Sequence, residues 1–164
     1  MSEASKTSAP FVGTIQTVKP EWIDYNGHLN MAFYNVLFDN CVDEAFIELG
    51  LGPDYVKERN ASFFTAEVHI CYLRELQEAD PVRASVHLID FDEKRAHFYQ
   101  ELHHAEEGFL SATSEQISLH VDMGLRKVAP WPEDVLARLQ GMKALHEGLG
   151  RPERLGRSIG LTKK

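Results

Sequence analysis

The segment that most constrains this chain is residues 31–49, where apolar side chains recur at helical spacing, as in Tyr34, Phe38, Cys41, Ala45 and Leu49. Only a narrow strip is left for polar groups, filled by Asn35, Asp39 and Asp43 and by Asn40, Glu44 and Glu48. A helix with so wide an apolar stripe must be enclosed, or it leaves a large oily surface in water. Asn30 supplies an N-cap, and Gly50, Gly52 and Pro53 supply the stop.

What encloses the helix has to be sheet. Phe11 to Val18 reads as a short strand. Pro20, Asn26 and Gly27 make 19–30 a loop. After a linking turn over 53–60, alternation predicts four long strands. Residues 62–76 place Phe64, Ala66, Val68, Ile70 and Tyr72 on one core face, and Val82, Ala84, Val86 and Leu88 repeat the pattern. Strands over 95–104 and 109–121 follow the turns at 90–94 and Glu107-Gly108, so consecutive antiparallel hairpins are the economical topology. A parity switch between Leu110/Ala112 and Ile117/Leu119/Val121 predicts a bulge in the last strand. Residues 132–145 read as a second, amphipathic helix with Pro132 in its first turn. The expected class is α+β, a long antiparallel sheet wrapped around one buried helix. Its domain spans 11–147, between tails at 1–10 and 148–164.

Length and composition narrow the function. With 164 residues and 43% hydrophobic content the chain suits one domain with a real core. A formal net charge of −8 with scattered basic residues argues against a nucleic-acid partner. No apolar run is long enough to span a membrane and no secretory signal opens the chain, so a cytoplasmic protein without a membrane partner is expected. Cys41 and Cys71 have no metal or disulfide spacing and read as reduced, buried thiols. His97, His103, His104 and His120 lack an accompanying carboxylate set, so they read as surface or interface residues, and no metal is expected.

The densest set of chemistry-bearing side chains is Trp22-Ile23-Asp24-Tyr25-Asn26-Gly27-His28-Leu29-Asn30, on the loop that enters the buried helix. A helix N-terminus presents unpaired N–H groups and partial positive charge, which suits an oxyanion forming on a thioester carbonyl. Asp24 is the candidate carboxylate, attacking the carbonyl or activating a water. Asn26 would hold the water or carbonyl, and His28 would orient the acid or pass a proton to the leaving thiolate. The same residues could instead simply shape a turn.

The stretch from Asp24 to Asn30 followed by Tyr34 resembles the signature of the 4-hydroxybenzoyl-CoA thioesterase branch of the hot-dog superfamily, and is similar in spacing to plant acyl-ACP thioesterases. Tyr72-Leu73-Arg74-Glu75 and Ala79-Asp80-Pro81-Val82 resemble a downstream pattern of these enzymes, with Ala79 where a glycine is usual. The resemblance covers about residues 11–135. It implies that Asp24 is the essential carboxylate and that the backbone N–H near Met31 is an oxyanion donor. It also implies that two or four identical chains assemble, with sites where sheets pair. The ligand is then acyl-CoA, and coenzyme A enters as part of the substrate, with no separate cofactor.

Glu21 to Asn30, Glu67-Val68-His69 and Leu119-His120-Val121-Asp122 further resemble the betainyl-CoA thioesterases of carnitine catabolism. That subgroup implies a trimethylammonium acyl group, best held over aromatic faces or near a carboxylate. Trp22, Tyr25 and Phe64 are the aromatic candidates for substrate binding, with Met31, Glu67 and Glu75 beside them. Glu67 and Glu75, read on one strand, would be roughly 27 Å apart, so at most one serves a given site. A thioesterase for an aromatic or medium-chain acyl-CoA, and a non-catalytic acyl-CoA-binding module, are the alternative readings.

Overall fold

The long helix forms where its pattern places it. In the computed structural model, which describes residues 8–161, α1 runs Met31–Glu48, and Asn30 caps it by accepting the Ala32 N–H at 3.0 Å. Such a cap stabilises by about 1 kcal/mol. Leu37, Phe38, Cys41, Val42 and Ala45 are fully buried along it. Strands touch it from several sides: Phe46 stacks on Phe63 at 4.0 Å and tilts against Phe98 at 5.5 Å, while Tyr34 meets Tyr72 edge-on at 5.0 Å.

The expected first strand is two fragments, β1 (Phe11–Val12) and β2 (Gln16–Thr17), both paired with β4 (Pro81–Phe91). Gly13 separates them because it passes so close to α1 that a Cβ there would come within 2.7 Å of Cys41 Sγ. The expected turn over 53–60 is a helix, α2 (Pro53–Arg59). Its signals were present: Pro53 in the first turn, Asp54 behind it, Lys57 and Arg59 at the end, and Asn60 in the left-handed conformation as the stop.

Four long strands follow: β3 (Ala61–Tyr72), β4, β5 (Arg95–His104) and β6 (Leu110–Asp122). A short β7 (Lys127–Val128) pairs with β6, and α3 (Glu133–His146), entered through Pro132, packs on β4. The order is β1-β4-β5-β6-β3. Thus β4, β5 and β6 form the expected hairpins, but β3 pairs with β6 and not with its neighbour in sequence. A local hairpin would have left one flank of α1 bare. The 73–80 crossing carries the chain around the sheet end and lets strands close on both flanks. It is pinned by Val18 N–H to Asp80 O at 3.0 Å and Leu29 N–H to Leu76 O at 2.8 Å.

Bulges set which side chains face the helix. One at Ala66 interrupts β3, so Phe63 lies on the core side before it and Ile70 after it, while Phe64 is turned outward and 44% exposed. Phe64 therefore does not share a face with Val68, Ile70 and Tyr72. The bulge expected in β6 between Ala112 and Ile117 does not form: that stretch runs in continuous order against its neighbours, the shift against β5 skips Ser111 instead, and Ile117 and Leu119 lie on the face opposite Ala112. Two histidines expected at the surface are buried. His120 accepts the Tyr55 hydroxyl at 2.7 Å and donates to Ala129 O at 2.9 Å, and His104 accepts the Glu106 and Glu107 N–H groups. Cys41 is buried, Cys71 half-buried, and both are free. Among the described residues no helix is long and apolar enough to cross a membrane, and no group of three or more His, Cys, Asp or Glu side chains is placed to hold a metal.

Candidate active site

The loop before α1 is a closed hairpin of its own. Ile23 bridges Leu29, Asp24 N–H donates to His28 O at 3.2 Å, and Gly27 N–H donates to Asp24 O at 2.9 Å. Gly27 turns the chain at φ +80°, which an L side chain would resist. Asn30 N–H reaches back to Trp22 O at 2.9 Å, tying both loop arms to the helix tip.

This hairpin aims the Asp24 carboxylate. Oδ1 accepts the Asn26 N–H at 2.8 Å and Oδ2 accepts Asn30 Nδ2–H at 3.1 Å. Asn30 therefore does two jobs, capping α1 through its oxygen and holding Asp24 through its nitrogen. Its cap use was legible in the sequence, whereas its bond to Asp24 needed the loop geometry. Asn26 reaches Asp24 through its backbone, and its side chain is exposed.

Beside the hairpin is a crevice of about 230 Å³ lined by His28, Met31, Tyr34, Tyr72, Arg74 and Glu75. His28 Nδ1–H donates to Leu29 O at 3.1 Å, so Nε2 is the atom free to take or give a proton, and Glu75 Oε2 stands 4.0 Å from it. Glu75 gets there because β3 ends at Tyr72 and the crossing segment passes under the helix tip. It is therefore not on the same strand as Glu67. The Tyr72 hydroxyl donates to Met31 O at 3.0 Å, and burial pushes its pKa up, so it stays a donor. Tyr34 and Tyr72 belong to the stretches that carry the family resemblance, but their periodicity points only to core positions, and their place beside the crevice needs the fold.

The remaining candidates lie elsewhere. Phe64 and Glu67 sit on the exposed middle of β3, outside the crevice of their own chain. Tyr25 is 97% exposed at the hairpin tip. Trp22 is half-buried, stacked on Phe33 at 5.5 Å with the Lys19 ammonium 5.1 Å over its ring. Its ring already has two partners, one of them a cation.

The chain matches the profile of the thioesterase-like superfamily over residues 18–139. It belongs to that superfamily. A betainyl-CoA thioesterase of Pseudomonas aeruginosa is 38% identical over 144 residues, 88% of this chain and 91% of the relative. An L-carnitine dehydrogenase/betainyl-CoA thioesterase of Rhizobium meliloti is 35% identical over 97% of this chain, which spans 32% of that longer protein. Among solved structures, a hypothetical protein of Staphylococcus aureus in complex with CoA superposes with a TM-score of 0.87 at 28% identity, covering 94% of this chain and 97% of the other. The fold is thus the hot-dog fold of the thioesterase-like superfamily, and the Asp24 hairpin, the helix tip and the 73–80 crossing all fall inside the matched region.

Proposed function

We propose that this protein hydrolyses betainyl-CoA to betaine and free coenzyme A, using Asp24, Asn26 and His28. The observation that carries the reading is the Asp24 carboxylate, held by Asn26 and Asn30 at the tip of the buried helix beside the His28 crevice. The names of the Pseudomonas and Rhizobium relatives support the acyl group. The acyl C–S bond is broken, water oxygen joins the carbonyl carbon, and a proton reaches the departing thiolate. Asp24 either takes a proton from that water or attacks the carbon first. The first-turn N–H groups of Ala32 and Phe33 are taken by Asn30, which leaves the Met31 N–H to face the oxyanion. His28 Nε2 delivers the proton, and Glu75 stabilises the imidazolium.

The working unit in this reading is at least a dimer paired through β3. This strand is twelve residues long, forms the free edge of the sheet, and carries Phe64 and Tyr72 half-exposed. An edge of that length without cover is a template for pairing. Acyl-CoA is the substrate, no other cofactor takes part, and we place the enzyme in the cytoplasm. The test is release of free thiol from betainyl-, acetyl-, hexanoyl- and 4-hydroxybenzoyl-CoA. Preference for the betainyl thioester is expected. Preference for another acyl group would keep the mechanism and discard this substrate, and inertness toward all four would point to a binding module.

A further inference from the structure

After α3 the chain crosses the outer face of the sheet, the side turned away from α1. Leu149, Gly150, Arg151 and Pro152 share a cleft of about 180 Å³ with His87 and Tyr99. Tyr99 alternates with Phe98, which packs on Phe46 of α1, so it points outward, and it is nonetheless buried because this segment covers it. Arg154 lies within electrostatic reach of Tyr99, and Gly156 N–H donates to Glu115 Oε2 at 2.7 Å. The His97 ring holds Glu115 Oε1 at 2.9 Å. These contacts follow one cross-strand row: His87 stands opposite Tyr99, Tyr99 opposite Glu115, and Glu115 opposite His69 on β3. The row ends at the free edge of the sheet.

Beyond Gly156 the segment turns apolar side chains to water, with Ile159 92% exposed and Leu161 fully so. A matching surface lies beside the edge. Phe64 is half-exposed on the outer face of β3, and its cross-strand partner Leu119 shares that face with Ile117 on β6. Glu67, opposite Ile117, is exposed on the same face. Neither Glu67 nor Arg157 has an ion pair among the described residues. Phe64 and Glu67, which the sequence marks for substrate binding and the fold keeps out of the crevice, thus share one outward surface with the chemistry to receive aliphatic side chains and a cation.

We propose that residues 157–161 of one copy cross the β3 edge and dock on the outer face of a second copy, Ile159 on Phe64 and Leu161 on Leu119. This rests on the β3 pairing proposed above. When two copies pair antiparallel along the whole of β3, Ala61 stands opposite Tyr72 and His69 of one copy opposite Phe64 of the other. The bulge at Ala66 makes that register consistent, because it sets Phe64 and His69 together on the outer face and Phe63 and Ile70 together on the core side. The row of the first copy then continues straight into Phe64 and Leu119 of the second. Phe64 lies two strand spacings from Glu115, about 10 Å, and Leu119 three, about 14 Å. Three extended residues past Gly156 reach about 10 Å and five about 17 Å, which brings Ile159 and Leu161 to those places. Arg157 crosses β3 beside His69, about 7 Å along the strand from Glu67 of its own chain and within side-chain reach of it. To meet Leu119 of its own chain the segment would have to turn through a right angle and run along β6.

The experiment places the photoreactive residue benzoylphenylalanine at position 159 of the full chain. After irradiation, denaturing electrophoresis separates covalently joined copies from single chains, and mass spectrometry maps the joined peptides. Joined copies whose crosslink runs from position 159 to the peptide carrying Phe64 or Leu119 are expected. Crosslinks within single chains, crosslinks mapping elsewhere, or none at all overturn the proposal. Sedimentation equilibrium keeps the two readings apart: a dimer with only intrachain crosslinks retains the β3 pairing and discards the docking, whereas a monomer overturns both. Neither measurement depends on turnover. In the double variant Ile159→Asp, Leu161→Asp the dimer dissociation constant should rise about tenfold, with the fold intact because both side chains are exposed within one copy. An unchanged constant overturns the docking.

Discussion

The concave face of the sheet has two unlike halves. On β4 it presents Val82, Ala84, Val86 and Leu88, all buried against apolar neighbours. On the β5–β6 side it interleaves Ala96, Phe98, Leu102 and Ala112 with Gln100, Ser114, Gln116 and Ser118, equally buried, with Gln100 Oε1 and both serine hydroxyls unpartnered. Gln116 spends its amide on Thr65 Oγ1 at 2.8 Å. Each aliphatic side chain on the first half stabilises by about 1.5–3 kcal/mol, whereas each unpartnered polar group on the second costs about 1–3 kcal/mol. One half holds the fold together. The other gives up stability close to the free edge of the sheet.

That contrast can be broken in several ways. The largest effect is expected at the chemistry, outside both halves: Asp24→Asn should lower kcat by about a thousandfold with the melting temperature unchanged. Turnover near wild type would remove Asp24 from the mechanism. Leu88→Ala, which leaves a void in the apolar half on β4, should cost about 2–5 kcal/mol in denaturant unfolding. A loss under 1 kcal/mol would show that this region is loosely packed and that the division into halves is misplaced.

Ala79→Gly tests the crossing segment that delivers Glu75. Ala79 adopts φ +67°, a left-handed conformation costing an L residue about 1–2 kcal/mol, so glycine should raise stability by about 1 kcal/mol. The cost also explains the glycine usual at this place in the family pattern. Ser118→Ala should be smallest, neutral or stabilising by up to about 1 kcal/mol, because no bond is lost. A clear loss would show that the hydroxyl has a partner and belongs with the stabilising half.

A pH prediction concerns the scaffold side. His146 accepts the Leu88 N–H at Nδ1 and donates from Nε2 to Ser8 O. Burial lowers its pKa below the 6.5 of a free histidine, an effect that the Ser8 bond partly offsets. The unfolded chain therefore binds the proton first. Stability is fully present above about 6.5 and declines as pH falls toward the folded pKa. Unfolding midpoints measured across this range should drop on the acid side in the wild type and less so in His146→Phe.

By itself the sequence determined the buried helix, its cap, the four long strands, the α+β class and the placing of Asp24, Asn26 and His28 at the helix entry. These are local matters, decided by periodicity, capping chemistry and turn residues that act within a few positions. Only the tertiary structure decided that β3 pairs with β6, that the bulge at Ala66 turns Phe64 outward, and that Glu75 and Tyr72 meet the helix tip. It also decided that Trp22 is already occupied and that Glu67 lies outside the crevice. The physical reason is common to all of these. Strand partnership and side-chain neighbours depend on which surfaces must close around the helix, and alternation along one strand carries no record of the strand it will meet.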